Sequence, residues 1–104
     1  MNIQKMMKEA QKMQERLAKA QNDLAAQTLE VSSGGGKVNV TVNGGGDITA
    51  IKISPDVVDP QDVEMLEDLV LSGIREAQDA SRKLQADTMG KVTGGLGGLP
   101  SLGI

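Results

Sequence analysis

The chain has 104 residues, with 11 Lys plus Arg against 14 Asp plus Glu, and contains no His, no Cys and no Phe, Trp or Tyr. That length bounds it to one small domain, and the missing residue types exclude a disulfide framework, a thiol nucleophile, a zinc site built on Cys or His, a Ser-His-Asp triad and an aromatic platform for stacking bases. The core must be built from Leu, Val, Ile, Met and Ala, and a short, ring-free chain is expected to complete its burial against a second copy.

The charge is unevenly placed. Residues 1–26 carry a net +2, residues 27–54 are neutral and residues 55–104 carry −5, so the overall −3 conceals a cationic N-terminal segment. There is no apolar run of signal-peptide length and none approaching the roughly 20 residues of a membrane span. A soluble, cytoplasmic protein without membrane contact is the expectation.

In chain order, Ile3, Met6, Ala10, Met13, Leu17, Ala20 and Leu24 recur at alternating spacings of three and four, among Lys, Glu, Gln and Ala. This predicts a long first helix with an apolar seam. From Thr28 the period changes to two: Leu29 and Val31, then Val38, Val40 and Val42, then Ile48 to Ile53, separated by Gly34-Gly35-Gly36 and Gly44-Gly45-Gly46. Three short antiparallel strands joined by glycine turns follow. In the third strand Ile48 and Ala50 compete with Ile51 and Ile53 for the inner face. Apolar residues on both faces predict that both are covered. Asp59-Pro60-Gln61-Asp62 opens a second helix with an N-cap and a proline at its first position, and Val63, Leu66, Leu69, Val70, Ile74, Ala77, Ala80 and Leu84 form its buried stripe. Gly90 is the expected stop, which divides the chain into a domain over 1–90 and a flexible, glycine-rich tail over 91–104.

The chemistry-bearing residues lie mostly on the first helix. At 100° per residue, Lys5, Lys8, Lys12, Arg16 and Lys19 fall within an arc of about 80°, well over 90° from the seam. From Lys5 to Lys19 this rail runs about 21 Å, some six base pairs of duplex, so it can follow phosphates along a groove edge. The alternative is a solvated face laced by Lys5 with Glu9 and Glu15 with Lys19. Asp59, Asp62, Glu64, Glu67 and Asp68 crowd the start of the second helix, where acid complements the helix dipole, and spread around it too widely for a metal cage or a catalytic pair. Neither glycine triplet leads into a phosphate-loop motif. No metal, cofactor, catalytic set or small-molecule substrate is predicted.

Four segments together carry a resemblance: Met6-Met7-Lys8-Glu9-Ala10-Gln11-Lys12-Met13-Gln14, Lys37-Val38-Asn39-Val40-Thr41-Val42-Asn43-Gly44, Ile53-Ser54-Pro55-Asp56 and Glu64-Met65-Leu66-Glu67-Asp68-Leu69-Val70. In this order, from about residue 4 to residue 90, the chain resembles the YbaB/EbfC family of bacterial nucleoid-associated proteins. The resemblance implies an α+β subunit of two long helices flanking a small three-stranded antiparallel sheet, a tweezer-like homodimer, and binding of double-stranded DNA that shapes the nucleoid and influences gene expression. It makes the rail the expected DNA-binding face, with Arg82 and Lys83 of the second helix, and Arg75 beside them, as a supplement where helices run side by side in the dimer. The rival function is a protein-interaction module that grips its partner through the heptad seam, DNA binding being incidental.

Overall fold

The computed structural model describes residues 2–94. In chain order they form helix α1 (Ile3–Ala26), strands β1 (Thr28–Ser33), β2 (Val38–Asn43) and β3 (Ile48–Ile53), a 3-10 turn over Pro55–Val57, and helix α2 (Val63–Gly94). The sheet is antiparallel with order β1-β2-β3. This is the expected α+β architecture of two long helices and a three-stranded sheet.

The core lies between the sheet and α2. Val38, Val40 and Val42 of the central strand and Ala77 of α2 are fully buried, and Val57 is buried beside them. Leu29, Val31, Leu66, Leu69 and Val70 pack around them half-buried. Strand pairing places Ile53 opposite Val38, Ile51 opposite Val40 and Ile48 opposite Val42. A bulge resolves the competition over the third strand. Thr41 pairs with Ala50 and Val42 with Ile48, leaving Thr49 as the extra residue. That slip by one turns Ile48 onto the face that Ile51 and Ile53 already occupy. The expectation of two apolar, covered faces is thus corrected: the second face carries Glu30, Ser32, Asn39, Thr41 and Lys52, all exposed or half-exposed.

The second helix differs from expectation at both ends. Asp59 makes a local turn by accepting from the Gln61 N–H, and Asp62 is the cap, its Oδ1 accepting from the Met65 N–H at 3.2 Å. Asp59 closes its own short turn, and Asp62, three residues on, supplies the acceptor for the first turn of α2. Beyond, α2 runs through Gly90 to Gly94. A glycine inside a helix costs only about 1 kcal/mol relative to alanine, so it does not by itself end one. The first four residues assigned to the tail, 91–94, are therefore helical, and the rest of that tail, 95–104, lies outside the described residues.

Candidate nucleic-acid interface

Both helices leave the sheet from the same end. α1 enters β1 through Gln27 alone, whose N–H donates to the Asp23 and Leu24 carbonyls and whose carbonyl accepts from the Gly44 N–H at 3.0 Å. α2 reaches that end after crossing the sheet: Ser33 Oγ donates to the Leu69 carbonyl near its start, while Ser81 Oγ donates to the Asn43 carbonyl and Gln85 Nε2 to the Gly44 carbonyl further on. Gln21 and Leu24 lie beside Gln85 and Met89, and Arg16 and Lys19 beside Thr88 and Lys91, so the two helices run antiparallel as an arm. The shape reflects it: the radius of gyration is 19.9 Å, against about 13 Å for a compact domain of this length.

Helix α1 is closed at its start by Asn2, whose side chain accepts from the Lys5 N–H at 3.1 Å. Its seam is used only in part. Ala20 and Leu24 are buried and Met13 and Leu17 half-buried, but Met6 is 57% and Ile3 66% exposed. The outer turns of α1 therefore stand clear of the body.

Lys5, Lys8, Lys12, Arg16 and Lys19 are all exposed along this arm. Among the described residues none of the five is within 4.0 Å of a carboxylate, so the pairs Lys5 with Glu9 and Glu15 with Lys19 are not formed. Five unneutralised cations on one stiff rod raise a local positive potential that attracts a polyanion.

The second-helix cations are placed differently. Arg75, Arg82 and Lys83 are exposed, and Arg82 Nη1 sits 3.3 Å from Asp79 Oδ1. None of the three lines the groove where α1 meets α2. The α2 cation that does is Lys91, which sequence reasoning assigned to the tail. Its signal was the continued helical spacing of Leu84, Thr88, Lys91 and Val92 past Gly90. The acids Glu64, Glu67 and Asp68 belong to the opposite end of α2, about 35–40 Å along the axis from Lys91. Among the described residues no three acidic side chains converge as a metal site, and no helix is long and apolar enough to cross a membrane.

Comparison with known proteins adds a family. A family model described as the YbaB/EbfC DNA-binding family matches residues 1–96. A nucleoid-associated protein of Ruminiclostridium cellulolyticum is 52% identical over 101 residues, covering 97% of this chain and 88% of its own. One of Chloroflexus aurantiacus is 46% identical, covering 95% and 99%. In fold, the chain is similar to the crystal structure of the uncharacterized protein HP0035 from Helicobacter pylori, with a TM-score of 0.79 at 17% identity over 89% of this chain and 98% of that one.

Proposed function

The chain belongs to the YbaB/EbfC DNA-binding family, and on that premise we propose that it is a non-enzymatic, nucleoid-associated protein that binds double-stranded DNA as a homodimer. Binding is chiefly to phosphates, and by altering the path of the duplex it organises the nucleoid and influences gene expression. The observation that carries this reading is the α1 rail: five exposed cations in one arc, unpaired among the described residues. Phosphate contact requires only such cations, whereas the chain lacks the aromatic rings that stack on bases.

The dimer is supported by the sheet. α2 packs on β1 and β2, while Ile48, Ile51 and Ile53 of β3 continue the same apolar face at 36–41% exposure. A contiguous row of isoleucines beside a small core is a surface that a second copy would bury. Arg82 and Lys83 would join the DNA surface only through that second copy.

The test is titration of duplex DNA at low and physiological salt. Two rails neutralising up to about ten phosphates would give a slope of log affinity against log salt approaching −9. Changing Lys5, Lys8 and Lys12 together to Gln keeps helix propensity and should weaken binding on every sequence, flattening the slope by about 5. Affinity insensitive to salt would overturn the reading and leave the exposed seam of Ile3 and Met6 as the functional surface.

A further inference from the structure

The inner end of the rail does not stop at α1. A cleft of ≈ 510 Å³ lies between the two helices, walled by Arg16, Lys19 and Asp23 of α1, by Gln27 at its exit, and by Thr88 and Lys91 of α2. We propose that this cleft is a phosphate-binding site in which the DNA backbone is held from both helices at once, by Arg16 and Lys19 on one side and Lys91 on the other. The proposal rests on the rail being the DNA-binding face, and extends it to a second helix and a residue outside that rail.

Three observations converge on it. Arg16 and Lys19 belong to both rail and cleft, so a backbone following the rail inward arrives at Lys91. The cleft holds three cations against one carboxylate, and among the described residues none of the three is ion-paired. Most of its polar side chains can donate hydrogen bonds: a guanidinium fork, two ammonium groups, a hydroxyl and an amide. Gathering like charges where two helices meet opposes their docking, and an anion placed among them relieves that repulsion. Asp23 is the one group in the cleft that works against a phosphate.

The experiment titrates a short duplex of generic sequence with the full chain and three variants: K91Q, D23N and the outer-rail K5Q/K8Q/K12Q. Removing Lys91 from each subunit of a dimer should weaken binding roughly five- to tenfold and flatten the salt slope by about 2. D23N should tighten binding. Without DNA, K91Q should melt close to the parent, since the repulsion it removes is offset by the loss of the cation in the last turn of α2; a large fall in melting temperature would mark Lys91 as a packing residue and overturn the site. Should K91Q bind like the parent while the outer-rail variant is weakened, the cleft proposal fails and the rail stands. Should neither variant be weakened, the rail is not the DNA-binding face, and the cleft proposal that rests on it fails as well. Tripolyphosphate at matched ionic strength separates the sources of the anion. Micromolar binding of it that K91Q abolishes, with DNA affinity unchanged by K91Q, would overturn the duplex assignment in favour of a small polyanion.

Discussion

The hydroxyl of Ser81, 1% exposed within α2, donates to the backbone carbonyl of Asn43 at 3.1 Å. The same carbonyl accepts from the Gly46 N–H at 3.0 Å, and Gln85 Nε2 bridges Ser81 Oγ and the Gly44 carbonyl. Together these bonds fasten α2 to the β2–β3 turn at the point where the arm begins. Ser81→Ala removes the hydroxyl but leaves the Asn43 carbonyl its turn partner, so the expected loss of about 0.5–1.5 kcal/mol is that of one hydrogen bond without an orphaned acceptor. Denaturant unfolding measures it, and amide exchange should quicken in α2 beyond Ser81.

Gly44 tests the other attachment. A Cβ there would run into the Leu24 carbonyl, which is backbone and cannot rotate away. Gly44→Ala should destabilise the fold by about 1–3 kcal/mol, the usual cost of overpacking, and displace the end of α1. Circular dichroism melting reads the first effect and amide shifts around Leu24 and Gln27 the second.

The bulge at Thr49 yields a prediction about assembly. Because Ile51 lies on the apolar face yet is 41% exposed, Ile51→Asp should leave the valine core of the subunit folded while placing charge in the proposed interface. Sedimentation equilibrium at micromolar concentration should report about 22 kDa for the parent, twice the subunit mass of 10.9 kDa, and the subunit mass for the variant.

Acid sensitivity has a local signature. The Lys37 ammonium, hydrogen-bonded to Asp56 Oδ2 at 2.7 Å, holds that carboxyl below its ordinary value of 3.8, chiefly through the hydrogen bond and then through its charge. A carboxyl whose folded value is lowered stabilises the fold above its unfolded value, and that contribution is lost as pH falls from about 3.8 through the lowered value. Both side chains are well exposed, so the effect on stability is small. Carboxyl carbon shifts should place the Asp56 titration below the usual range, and Lys37→Gln should return it upward.

If position rather than net charge governs affinity, neutralising Glu64, Glu67 and Asp68 should not rescue the outer-rail variant, although it restores the same three charges per chain. Asp62 is left alone because it caps α2. Equal DNA affinity for the doubly altered protein and the parent would show that binding follows overall charge.

The helix seam, the three strands and the rail were legible because each is a matter of period along one element. Thr49 was not: a bulge is a relation between two strands, and nothing within Ile48–Ile53 says which residue the partner will skip. Asp59 and Asp62 both offer a capping carboxylate three residues apart, and only the chain path chooses between them. Gly90 misled because a single helical glycine costs only about 1 kcal/mol, too little to end α2 by itself, and Lys91 was lost with it. The cleft combines cations 75 residues apart in sequence, Arg16 and Lys91, which no local pattern could join.

With Gln27 alone between α1 and β1, and its N–H and carbonyl both engaged, the direction of α1 is tied to that of β1. The rod behaves as a cantilever clamped in the sheet, and its bearing is inherited from the strand it feeds. In an assembly of two such subunits, the divergence of the rods would be dictated by how the sheets are seated against each other. A duplex lying on both would have to conform to that fixed angle, and a sideways load at Lys5 would be felt as torque at Gly44.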